Sequence, residues 1–288
     1  MLLIAAFVVT ASAPTPGSAQ VPRPSDCLAR FALPPAATKS ARDMTLDEAR
    51  DVVVSLVRDR VVTLHTRTVT FDKTCRITYP RPTDRLDITE SIAGVALVYG
   101  PVDRPKPYPT RRLDHRHTVA LARLAAHLKA KWGATAIRHL GISAGKGGNN
   151  AHNSGRAIDL ASVIGKRNGA PYTIDVWRDW GRKPRLSRKA RADAEHPRFR
   201  LLPQETKNKS APAPNELFLD IYEFATREYS DSSTKPGRNG DPTEIGTTSY
   251  VLHPDHPYPR LAWDHRDHFH LQIGPARREG RPPRSPQK

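Results

Sequence analysis

The chain has 288 residues, with 46 Lys and Arg against 29 Asp and Glu, a formal net charge of +17. A hydrophobic fraction of 38% excludes wholesale disorder, and the length supports one large domain or two small ones around a real core. Two cysteines exclude a disulfide-dense scaffold and any Cys-rich zinc finger. The charge points to a polyanionic partner: nucleic acid, an anionic membrane surface or an acidic cell-wall polymer.

The first apolar run, Leu2 to Val9, is too short to span a bilayer. Gly17-Ser18-Ala19 follows as a small-x-small cleavage site, so residues 1–19 read as a secretory signal cut near Ala19. No other segment is apolar enough for a transmembrane helix. Export to an oxidising compartment, periplasmic or extracellular, favours one disulfide between Cys27 and Cys75, tying the N-terminal segment to the first strands. Residues 20–42, rich in Pro, Ala and Ser, read as a flexible lead-in. Thr45-Leu46-Asp47-Glu48 is a capping box, and Leu46, Ala49, Val53, Leu56 and Val57 give the helix behind it one apolar face. Val61–Phe71, Arg76–Tyr79 and Ile92–Tyr99 carry the β-branched and aromatic residues of strands. A second helix is expected from Asp114 to Trp132, capped by Gly133, with His115 and His117 facing solvent at its start.

Further strands are expected at Ala136–Ser143, Arg156–Ser162, Tyr172–Trp177 and Asp267–Ile273, with a Gly-rich loop at Gly145–Asn150. Residues 182–212 form a basic insertion, and Asn215 is expected to cap a third helix. A Gly/Ser/Pro loop covers 230–247, His253 to His256 falls in a loop read as solvated, and 276–288 reads as a disordered basic tail. The expected architecture is α+β: a single catalytic domain over 43–275, with a small central antiparallel sheet flanked by helices.

Two segments carry the chemistry. His152 to Asp159 has the pattern His-x-x-Gly-x-Ala-x-Asp, and Asp264 to Leu271 contains His268-x-His270. Residues two apart on a strand share a face, so His268 and His270 project together with Phe269 turned into the core. Ala157 and Asp159 share a face in the same way, and Gly155 permits a tight turn between His152 and that strand. His152, Asp159 and His270 then offer two imidazoles and a carboxylate with an open fourth position, the pattern of a catalytic zinc site. His268 is the spare group beside it, placed to handle a proton or to steady developing charge. Asp267 is a second candidate, as a base or as an orienting partner for an imidazole, although strand alternation points it away from His268.

Together these motifs resemble the zinc peptidases that cut bacterial peptidoglycan. That group includes the D-alanyl-D-alanine carboxypeptidases, the penicillin-insensitive murein endopeptidases and the extensin-like C-terminal domains. Their fold is shared with lysostaphin-type enzymes and the hedgehog signalling domain. The resemblance covers roughly residues 92–275. The stretch from Ile142-Ser143 to Gly147-Gly148 is similar to the Gly-rich approach in the murein endopeptidases. Asp175-Val176-Trp177-Arg178-Asp179-Trp180 is similar to a segment of the extensin-like domains. The resemblance implies a zinc site on the sheet, with His152, Asp159 and His270 as ligands and His268 as the catalytic histidine. Asn150 stands where the family usually carries a serine near the first ligand. The upstream arginine that grips a substrate carboxylate has no clear match, and Arg138 or Lys146 are the candidates. Trp177 and Trp180 read either as groove-lining side chains or as core.

The function expected from this is an exported, monomeric zinc peptidase acting on peptidoglycan or another anionic envelope polymer, without a specific nucleic-acid partner. A non-catalytic zinc-containing cell-wall binding module of the same fold is the alternative. A metal-dependent nuclease ranks third, because phosphoryl chemistry favours carboxylate-rich sites and Asp159 is the one acidic ligand in view.

Overall fold

The computed structural model describes residues 23–101, 106–107, 110–142, 151–180, 212–229, 251–255 and 259–274. The expected signal segment, the Gly-rich loop with Lys146 and Asn150, the basic insertion up to residue 211, the 230–247 loop and the basic tail lie outside these residues. Where a flexible lead-in is expected, the chain forms helix α1 (Pro24–Arg30) and two short 3-10 turns, Pro35–Thr38 and Ala41–Asp43. Cys27 of α1 is buried and disulfide-bonded to Cys75, with the Cα atoms 5.3 Å apart and a sequence separation of 48. In the chain-entropy account, closing a loop of that span restrains the unfolded chain by about 4 kcal/mol.

Helix α2 (Leu46–Arg58) starts at the expected capping box: Glu48 N–H donates to Thr45 Oγ1 (3.1 Å), and Thr45 N–H donates to Glu48 Oε2 (2.8 Å). The strand expected over Val61–Phe71 shrinks to β1 (Thr70–Phe71), because its middle pairs with other backbone only through the bridge of Leu64 to Ile88. β1 pairs with β2 (Ile77–Tyr79), and Cys75 sits in the turn between them. β3 (Leu86–Ile88) follows. The strand expected over Ile92–Tyr99 is split into β4 (Ser91–Ile92) and β5 (Val95–Tyr99), because Ala93 and Gly94 take φ values of 54° and 72° and reverse the chain. After β6 (Lys106–Pro107) and β7 (Thr110–Leu113), helix α3 runs over His115–Trp132, capped by Asp114 and closed by a left-handed Gly133.

Then come β8 (Ala134–His139), β9 (Ala157–Arg167), β10 (Ala170–Asp175), α4 (Val176–Asp179), α5 (Pro214–Glu228), β11 (Val251–Leu252), α6 (Pro259–Asp264) and β12 (Phe269–Gln272). Asn215 does not cap α5. Proline occupies the first helical position, which places the extended N-cap at Ala213, without a side-chain cap.

The class is α+β. The main sheet is larger than expected and mixed. Eight strands take part, in the order β11-β12-β9-β8-β5-β4, with β10 on β9 and β6 on β5. β5 and β8 run parallel, and the remaining pairs are antiparallel. The eleven residues of β9 explain the size. Their near-continuous apolar sequence suits a strand covered on both faces. One edge of β9 meets β8; along the other, β12 lies beside its first part and β10 beside its second. α3 packs against β8 and β9, with α2 and α5 against α3. Leu121, Leu124, Leu128, Ile158, Leu160 and Phe269 are fully buried in the core between them.

Candidate metal centre

β9 and β12 pair so that His270 stands directly opposite Asp159, while Phe269 faces Leu160 and Leu271 faces Ile158. The apolar residues of both strands are buried, so the register is set by the core and the polar face follows from it. His152 approaches from a turn. Gly155 N–H donates back to His152 O (2.9 Å), at φ +66°. The Gly155 carbonyl accepts from Asp114 N–H and from His117 Nδ1, each at 2.9 Å, which fastens the turn to the start of α3.

The three sequence-assigned groups converge. His270 Nδ1 is 2.8 Å and His152 Nε2 is 3.2 Å from the same carboxylate oxygen, Oδ1 of Asp159. One ligand atom from each of the three lies within 4.8 Å of the others, so the group can hold a metal ion. These separations bracket or approach about 3.3 Å, the tetrahedral edge for ligands about 2.0–2.1 Å from an ion. All three side chains are partly exposed, so water reaches them.

Burial opposes ionisation of Asp159, but its contacts with His152 and His270 outweigh it, and the carboxyl lies well below the usual carboxylate range. Asp159 is therefore an anion ready for a cation. Gly141 closes the wall behind it: its carbonyl accepts from Asp159 N–H (2.7 Å), and a Cβ there would lie 3.1 Å from Asp159 Oδ2 and 3.7 Å from His152 Cε1.

His268 precedes β12 and lies outside the strand, and that resolves the doubt about Asp267. With the chain still turning, Asp267 Oδ1 accepts from His268 Nδ1 at 2.8 Å. The hydrogen bond to His268 lowers the Asp267 carboxyl. His268 Nε2, on the other side of the ring, is 3.5 Å from Asp159 Oδ1. Asp267 is thus an orienting partner, and His268 stands beside the candidate metal group.

Three residues of the site had no role assigned from sequence. Gln272 Oε1 lies 3.1 Å from His270 Nε2 and fixes that ring, as partners of metal-bound histidines commonly do. Its i+2 position on the strand was the available signal. His265 donates Nδ1–H to Leu261 O (2.7 Å), with its ring 5.0 Å from that of His268 and 5.4 Å from that of His270. Burial depresses its pKa to about 4. Gly141 is the third, and a lone glycine outside a motif gives no signal.

Other expectations are corrected. His115 and His117 are 1% and 0% exposed, because α3 is buried from its first turn. His253 is also buried, stacked on Trp180 and edge-on to Tyr222. Trp180 belongs to the core, packed on Phe218 and Phe269, whereas Trp177 on α4 is 41% exposed. Arg138 is committed to the sheet. It donates to Ser162 Oγ (2.6 Å), Gly100 O (2.8 Å) and Asp175 Oδ2 (2.5 Å), because Ser162 pairs with Arg138 on one side and Asp175 on the other. Lys146 and Asn150 lie outside the described residues. No family model, curated protein or solved structure matches the chain.

Proposed function

We propose that the chain is a zinc-dependent hydrolase that cleaves peptide or amide bonds in bacterial peptidoglycan, after export to the periplasm or beyond. The observation that carries this is the cross-strand pair of Asp159 and His270, joined by His152 on one carboxylate oxygen, with His268 held by Asp267 at its side. His152, Asp159 and His270 would hold the ion. Zinc, when bound, supplies a Lewis acid and lowers the pKa of a coordinated water. Two imidazoles and a carboxylate also suit iron(II). What favours hydrolysis is a third imidazole, that of His268, oriented by a carboxylate, which is a proton-handling pair.

The chain's own groups then divide the work. Asp267 accepts a hydrogen bond from His268 Nδ1–H, so Nε2 faces the metal group and can accept a proton from the nucleophile and return it to the leaving amine. Gln272 fixes His270, and the Gly155 turn fixes His152. The hedgehog-type fold class and the peptidoglycan substrate follow from the motif resemblance, and the export route from the expected signal segment over residues 1–19. The disulfide is consistent with an oxidising compartment. Among the described residues no helix is long and apolar enough to cross a membrane.

The test is mass spectrometry of purified peptidoglycan incubated with zinc-loaded protein and with His268→Ala. The wild type releases cleaved peptides. The variant keeps its zinc and loses at least about a hundredfold in rate, the usual weight of a general acid–base group. Zinc bound without cleavage by the wild type selects the non-catalytic wall-binding module instead.

A further inference from the structure

The β1–β2 hairpin and the segment leading into β3 enclose a cleft of about 440 Å³ lined by Arg67, Thr78, Tyr79, Arg81, Asp84 and Arg85. Its wall carries three guanidinium groups and one carboxylate. The carboxylate is already engaged: Asp84 Oδ2 accepts from Arg81 N–H (2.8 Å), and Oδ1 lies 3.5 Å from Arg81 Nε. Arg85 uses Nη1 on the buried Asp114 (2.8 Å) and stays 38% exposed at its side chain. Arg67 lies over the Tyr79 ring, 5.2 Å from its centroid, with no carboxylate partner among the described residues. Arg81 is 75% exposed at its side chain.

Three guanidinium groups line one space, and one of them lies over an aromatic ring; forked donors of this kind grip oxyanions. The volume falls in the range of small-ligand sites. The hairpin wall is also fixed: Cys75, in its turn, is bonded to Cys27 of α1. We propose that this cleft is an anion-binding subsite that takes a multiply charged oxyanion, a phosphate or a pair of carboxylates, presented by a small ligand or by an acidic polymer. It is separate from the metal group and stands whether or not that group hydrolyses anything. Arg85 links the two regions, since the backbone N–H of its partner Asp114 donates to Gly155 O of the His152 turn.

The experiment is calorimetric titration of the oxidised full chain at low salt with inorganic phosphate and, separately, with succinate. Arg67→Gln, Arg81→Gln and the exposed control Arg30→Gln on α1 are titrated alongside. Binding of either anion, about tenfold weaker in each cleft variant and unchanged in the control, supports the subsite; which anion binds tells phosphate from carboxylate ligands. Absence of binding by both anions overturns it. So does binding that the cleft variants leave intact, or that Arg30→Gln weakens equally, since the heat then comes from elsewhere or from overall charge. Peptidoglycan cleavage is not a readout in any arm, so failure here is distinct from failure of the hydrolase reading.

Discussion

Gly155 has no tolerable replacement. A Cβ there would sit 1.9 Å from the carbonyl oxygen of Arg112, and the backbone is already left-handed at φ +66°. Gly155→Ala is expected to cost at least about 1–3 kcal/mol from the backbone alone, with more from the clash, read as a lowered denaturation midpoint. His117 acts on the same turn through the Gly155 carbonyl. His117→Ala should weaken metal binding about tenfold, the scale of a lost outer partner, measured by competition with a chelator. Gly141→Ala presses on Asp159 Oδ2 and His152 and should reduce affinity similarly while leaving the circular dichroism spectrum unchanged. The candidate ligands were legible because a small set of residue types at fixed spacing implies convergence. Gln272 was marked only by its place two residues after His270, and His265 and Gly141 by nothing, because their approach to the site exists only in the folded chain.

The register of β12 on β9 decides the candidate site. A slip by one residue would put His270 toward the core and Phe269 toward water, so the buried apolar residues and the metal group are specified together. The alternating strand pattern made β9 and β12 readable, and the capping box and Gly133 made α2 and α3 readable. What the periodicity missed came from tertiary pairing. The segment before β1 has β-branched residues but little to pair with, and a two-residue turn divides β4 from β5. Arg138 shows the same limit. A sequence motif suggests substrate contact, whereas three adjacent strands align Arg138, Ser162 and Asp175 into a buried ion pair. Arg138→Met would leave the buried Asp175 carboxylate with only the half-exposed Arg178, 3.8 Å away, as a cation, a loss of up to about 3–5 kcal/mol in stability to chemical denaturation.

Across the whole molecule, burial of imidazoles sets the response to acid. His115, His117 and His139 are fully buried, and burial depresses each pKa from 6.5 to about 4. The unfolded chain therefore takes up more protons between those values, and stability rises with pH across that window. These groups impose no penalty above pH 6.5; as pH falls to about 4, each costs up to about 3 kcal/mol. Thermal melts should show a steep loss of Tm over that interval, and replacing His115, whose ring nitrogens lack hydrogen-bond partners among the described residues, by Gln or Leu should flatten it. The excess of 46 basic over 29 acidic residues gives a separate expectation. Retention on cell-wall material should fall as salt rises, while hydrolysis of a small uncharged peptide should hardly change.

The bond between Cys27 and Cys75 encloses α2 and β1 in a covalent ring. A protease that severs one peptide bond anywhere between these cysteines opens the ring without separating the molecule. Exposed basic residues such as Arg67 and Lys73 offer trypsin such points. After limited trypsin treatment, the nicked chain should run intact on a gel without reductant and as two pieces with it. A first cut would then leave a two-chain protein held by one covalent bond, with His152, Asp159 and His270 still together on the larger piece.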